Sequence, residues 1–159
     1  AGLQCPPGER TPLALCCIAH GLGRWKDLLQ LLREHPEALP RKQAAPLKML
    51  ALCQLGRWLP ALRAAREGGI RNGRFAGARN LSPSHLRALV EAGDEIEALR
   101  LLGGPAAGEP AFYDWLRGLA LHDAGDREGA RQAFARYFGR WPGDVVGLHA
   151  TRGRVCDDD

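Results

Sequence analysis

The chain has 159 residues, 45% of them apolar, which suits one domain or a short array of repeats with a sizeable core. No run approaches the roughly 18 uninterrupted apolar residues of a membrane helix, and no charged start followed by an apolar segment reads as a secretory leader. The net charge of +4 is unevenly placed: residues 1–90 carry 14 Lys or Arg against 5 Asp or Glu, and residues 91–159 carry 8 against 13.

Strand formers are scarce, with three Ile and two Tyr, while Leu, Ala and Arg abound, so an all-α chain is expected. The cysteines are Cys5, Cys16, Cys17, Cys53 and Cys156. Their odd number, and the strain of a bond between adjacent Cys16 and Cys17, point to free and mostly buried thiols. That suits the cytoplasm or another reducing compartment.

Residues 1–10, with Cys5-Pro6-Pro7-Gly8, read as an extended lead-in. Thr11-Pro12 then supplies an N-cap and a proline at the first helical position, where its missing N–H costs nothing. A helix of about ten residues ends at Gly21-Leu22-Gly23, and a second runs from about Trp25 to His35, with Leu28, Leu29, Leu31 and Leu32 inward. Lys42 to about Gly68 forms another pair, carrying Leu47, Leu50, Ala51 and Leu55, then Leu59, Leu62 and Ala65. Pro60 is tolerated there because it falls in a first helical turn. Leu22-Gly23-Arg24-Trp25 recurs as Leu55-Gly56-Arg57-Trp58, 33 residues on, at the same place between two helices.

Residues 67–81 break the rhythm with four glycines and two asparagines, and read as a basic loop. Ser82-Pro83 restarts helix, with Leu86, Leu89 and Val90 apolar. Gly93-Asp94 turns into a helix bearing Ile96, Ala98, Leu99 and Leu102. Ala111 to Asp144 is the cleanest unit: two apolar-periodic segments around Ala124-Gly125-Asp126, closed by Trp141-Pro142-Gly143, with Asp126 as N-cap. Helix pairs are thus expected at about 11–36, 42–68, 82–104 and 111–141. Residues 145–159 are expected to form a short capping segment and an acidic tail. A hairpin of this kind has too much apolar face for one partner helix and needs stacked neighbours.

The last unit resembles the tetratricopeptide repeat. The family's small first-helix residue falls on Gly118, its turn glycine on Gly125, its second-helix alanine on Ala130, its aromatic on Phe134 and its closing proline on Pro142. The family's first-helix tryptophan stands one place later, at Trp115. Gly93, Ala98 and Pro110 match in the third unit, Gly56 and Ala61 in the second, and Gly23 and Pro40 in the first. The resemblance covers about residues 9–144 and implies a right-handed α-solenoid of about four repeats spanning 11–144. It also implies a concave groove, lined by first helices, that binds a protein or peptide. Groove positions would be Arg10, Cys17 and His20; Gln43, Leu50 and Gln54; Asn80, Arg87 and Glu91; and Phe112, Trp115, His122 and Asp123. The resemblance thus suggests an adaptor, chaperone, scaffold or assembly subunit. The competing expectation is that Phe112, Trp115, Leu50 and Cys17 simply pack between repeats.

Catalysis would need an activated nucleophile, and Cys16 or Cys17 with His20 offers only helical spacing. A metal site from Cys5, Cys16, Cys17 and His20 lacks paired C-x-x-C knuckles. No enzyme, metal or cofactor is therefore expected. Arg63, Arg66, Arg71, Arg74 and Arg79 surround Phe75 and are opposed only by Glu67. This basic region suits an acidic protein surface, plain solubility or, as the alternative function, RNA held through its backbone and stacked bases.

Overall fold

A computed structural model describes residues 11–76 and 78–144. Among them every regular element is an α-helix: α1 (Pro12–Gly21), α2 (Trp25–Glu34), α3 (Arg41–Gln54), α4 (Trp58–Glu67), α5 (Pro83–Glu91), α6 (Glu95–Leu102), α7 (Ala111–Asp123) and α8 (Arg127–Arg140). The expected lead-in and the segment from residue 145 onward lie outside the described residues. The chain forms two compact units, one ending at Asn80 and the other beginning at Leu81.

Each of the four short connections within a helix pair closes the same way. Gly23, Gly56, Gly93 and Gly125 all have φ between +65° and +87°. The residue after each glycine donates its N–H five residues back: Arg24 to Ala19 at 2.8 Å, Arg57 to Leu52 at 2.8 Å, Asp94 to Leu89 at 2.9 Å and Asp126 to Leu121 at 2.9 Å. The glycine itself bonds three residues back. This Schellman arrangement satisfies the last carbonyls of the first helix and needs a left-handed residue, which glycine supplies without a Cβ clash. The repeated Leu-Gly-Arg-Trp is therefore the visible part of a turn that all four pairs share.

Helix starts follow the sequence closely. Thr11 Oγ1 accepts from the Ala14 N–H at 3.2 Å, Ser82 Oγ from His85 at 3.3 Å and Asp126 Oδ1 from Gly129 at 2.9 Å. Pro60 is the third residue of α4. Pro46 is a different matter, because it sits inside α3 and leaves the carbonyl one turn earlier without its helical donor.

In the first unit, α2 packs on both α1 and α3, and α3 on α4. Cys16, Ala19, Leu28, Leu39 and Ala51 form one core cluster, flanked by Trp25, Leu29, Leu31, Leu32, Ala44 and Leu47. Ala45, Met49, Leu52, Ala61, Leu62, Ala64 and Ala65 fill the interior around α3 and α4. Beyond α4, Asn72 and Gly73 take left-handed φ values of 46° and 73°. Arg71 and Arg74 exchange both backbone hydrogen bonds across them, at 2.8 and 2.9 Å. The basic loop thus contains a tight turn.

The second unit is built on α7, which packs against α5, α6 and α8 and is buried at every position from Tyr113 to Ala120. α8 approaches so closely that a Cβ at Gly118 would lie 2.4 Å from Phe134 Cε1. The loop Gly103–Pro110 has little apolar content, and Arg117 holds it. The Arg117 side chain is 3% exposed; Nε donates to the Gly103 carbonyl at 3.0 Å, and a terminal nitrogen reaches the Leu102 and Gly104 carbonyls at 3.2 and 3.1 Å. Glu109 at 2.7 Å and Asp114 at 3.2 Å balance its charge. Asp114 also accepts from Arg136 at 3.1 Å, and Arg140 donates to the Glu109 carbonyl at 2.7 Å, which ties α8 into the same network.

Gly118→Ala is expected to destabilise the protein by about 1–3 kcal/mol through overpacking on Phe134. Gly139→Ala, in α8 with nothing within 4 Å of the added carbon, should instead stabilise it by up to about 1 kcal/mol. Urea unfolding of the two variants checks the pair.

Burial, then the hydrogen bond to Asp144 and that carboxylate's charge, push the Tyr137 phenol up to about 12. The neutral phenol is favoured in the folded state, so its contribution is intact below the ordinary value near ~10 and is lost as pH climbs through the folded value. Stability should therefore fall across that interval by up to about 1.4 kcal/mol per pH unit, and Tyr137→Phe should flatten this part of an alkaline unfolding profile.

Candidate partner-binding surface

Four of the residues expected in a groove come together in the second unit. Arg87 and Glu91, one turn apart on α5, face each other with Nε and Oε1 3.8 Å apart. The Arg87 guanidinium lies 5.4 Å from the centroid of the Trp115 ring, within cation–π range. Phe112, one turn before Trp115 on α7, stacks on the indole with centroids 5.1 Å apart and planes at 25°. Helical spacing explains the set: α5 and α7 are the first helices of adjacent hairpins in contact, and residues three or four apart share a face.

Exposure separates the roles within this cluster. Arg87, Glu91 and Phe112 are half-buried, whereas Trp115 is 4% exposed. Trp115 therefore follows the packing alternative rather than the groove one: it is the floor on which Phe112 and Arg87 rest. Its indole N–H has no acceptor among the described residues. The accessible chemistry is an aromatic edge, a guanidinium and a carboxylate. Such a surface can take an apolar side chain flanked by polar or charged groups.

The other candidates do not join this cluster. His122 Nδ1 lies 3.2 Å from Asp123 Oδ1 at the end of α7, two turns beyond Trp115. Asn80 is exposed just before the second unit begins. In the first unit His20 meets Trp25 edge-on at 5.7 Å, Cys17 is exposed and Leu50 is half-buried. Gln43 and Gln54 are exposed near opposite ends of α3, about 16 Å apart along the axis at ~1.5 Å per residue. Arg10 lies outside the described residues. Arg63, Arg66, Arg71, Arg74 and Arg79 are all exposed, and Arg74 Nε is fixed on the Arg79 carbonyl at 3.1 Å.

Cys16 and Cys53 are buried and Cys17 is exposed. Burial, reinforced by the charge of Cys17, pushes the Cys16 thiol above its ordinary value, the opposite of what an attacking thiolate needs. Among the described residues no three His, Cys, Asp or Glu side chains are grouped to hold a metal ion, and no helix is long and apolar enough to cross a membrane. Arg117, Asp114 and Glu109 were not singled out from the sequence, although an Asp three residues before an Arg on an otherwise apolar helix is a legible signal of a buried pair.

No family model matches the chain, and no curated protein or solved structure matches it with significance.

Trp115→Ala should cost about 3–5 kcal/mol, as expected for emptying a buried aromatic site, while Phe112→Ala should cost about half as much or less. Denaturant midpoints of the two variants measure the difference. They also decide which position is a clean probe of binding.

Proposed function

We propose that the chain is a non-enzymatic protein–protein interaction module of the tetratricopeptide-like kind, acting as an adaptor, chaperone or assembly subunit. On this reading its four helix pairs are repeats of a right-handed α-solenoid. The observation that carries the proposal is the gathering of Arg87, Glu91 and Phe112 over Trp115 on adjacent first helices. The four identical Schellman turns, and the close approach of Phe134 to Gly118, support the repeat reading on physical grounds. The partner contributes an apolar side chain to the edge of Phe112 and a polar or charged neighbour to Arg87 and Glu91.

A second reading, RNA association, draws on the tight turn at residues 71–74. It holds two arginines in fixed backbone geometry, close in sequence to the exposed Arg63 and Arg66 of α4. Phosphate contacts of this kind weaken steeply with salt.

The test compares affinity capture from host extract by the native chain, by Arg87→Ala/Phe112→Ala and by Arg63→Ala/Arg66→Ala, with helicity monitored by circular dichroism. The first double variant should lose a captured protein that the second retains. Equal capture by all three would sink the groove reading. Salt-dependent binding of labelled RNA, lost only in the α4 variant, would replace it with the RNA reading.

A further inference from the structure

The first unit holds a cavity of about 360 Å³, open to solvent, that the partner-binding surface does not use. It lies where α2, α3 and α4 converge. Leu32, Ala45 and Ala64 contribute its apolar lining, and Arg41, Lys48 and Glu67 bring charge to it. At ~30 Å³ per molecule its volume corresponds to roughly a dozen waters, far more than one bridging solvent site. It falls within the range of small-ligand pockets, which combine an apolar lining with a few placed polar groups.

Two cations and one carboxylate line the cavity, a local excess of one positive charge. Arg41 donates to the Glu67 backbone carbonyl at 3.0 Å, which covers the acceptor at the end of α4 that would otherwise repel a negative group. Lys48 Nζ stands 3.5 Å from Glu67 Oε2, well beyond the ~2.7–2.9 Å of a tight charge-assisted bond. Both side chains are open to water, Lys48 at 49% and Glu67 at 63%. An ion pair so long and so exposed is weak and exchangeable. Around it the first unit carries 13 Lys or Arg against 5 Asp or Glu, a net +8 that draws anions toward it. The apolar lining sits close enough to the lysine for one ligand to use both.

We infer that this cavity binds an aliphatic carboxylate, its chain against Leu32, Ala45 and Ala64 and its carboxylate on Lys48 in place of Glu67. Two sources present this chemistry, a free medium-chain acid and a leucine next to a glutamate in a peptide. The site is separate from the surface on α5 and α7, and its failure would leave the proposed function standing.

Octanoate is the probe, titrated into the full chain and followed by methyl NMR. Shifts concentrated at Leu32, Ala44, Ala45 and Ala64 are expected. Lys48→Ala should weaken binding by about fivefold, the scale of one exposed ion pair, without altering the fold. Ala44→Phe should fill the cavity and abolish the shifts. Octanamide, which lacks the charge, and acetate, which lacks the chain, should each bind more weakly than octanoate. A Leu-Glu peptide that shifts the same methyls at lower concentration than octanoate assigns the site to a polypeptide source; weaker peptide binding assigns it to a free acid. Absence of shifts at those four residues, equal binding of octanamide, or binding unchanged in Ala44→Phe would overturn the inference.

Discussion

A guanidinium taken out of water loses many kilocalories of hydration, so the surroundings of Arg117 must replace nearly every hydrogen bond it gave up. They do: three carbonyls from Leu102, Gly103 and Gly104 and the carboxylates of Glu109 and Asp114 converge on one side chain. The demand runs in both directions. The connection between α6 and α7 is rich in glycine, alanine and proline and has no apolar side chain large enough to anchor it. Wrapping the Arg117 donors, with a further tie from Arg140 to the Glu109 carbonyl, fixes its course. Asp114 then extends the network to Arg136 and Arg140, so that α8 is oriented by charge as well as by packing.

The same helix carries a second constraint of the opposite character. Gly118, next to Arg117, lets Phe134 come within a distance that no other residue allows, and this brings α7 and α8 together along their middle. Polar satisfaction on one face of α7 and close apolar contact on another leave little room for alternative registers. The cluster of Arg87, Glu91 and Phe112 over Trp115 benefits from both. Trp115 is held two residues from Arg117 and three from Gly118, and rigid support below makes Phe112 and Arg87 a defined surface rather than a mobile one.

Local rules of sequence carried far because the helices here start and stop on strong local chemistry. Thr11-Pro12, Ser82-Pro83 and Asp126 fix helix starts, and glycines in left-handed geometry fix helix ends, whatever the tertiary surroundings. The grouping of Arg87 with Trp115 was legible only through the tetratricopeptide resemblance, which implies that first helices line one groove. What was not legible depends on long-range encounters. Which of Phe112 and Trp115 is buried, and which stays accessible, is set by packing across helices. The cavity beside Lys48 is set by where α2 ends relative to the alanines of α3 and α4. Alanine at those positions reads equally well as tight packing, and only the convergence of three helices makes it an opening.

Charge and shape therefore divide the chain in a way that composition alone only hinted at. In the first unit the basic residues are nearly all exposed, so their field reaches solvent and acts on whatever approaches. In the second, Arg117 is enclosed and Arg136 is partly occupied by Asp114, so part of that unit's charge is neutralised inside the fold. That network pairs two arginines with two carboxylates, so the acidic excess of the unit is carried by the residues outside it. Long-range attraction of anionic groups thus originates in the first unit, with 13 Lys or Arg against 5 Asp or Glu, whereas the second carries 9 against 13. On the proposed function, recognition on α5 and α7 depends on short-range contact with Phe112, Arg87 and Glu91, which acts only once a partner is within reach.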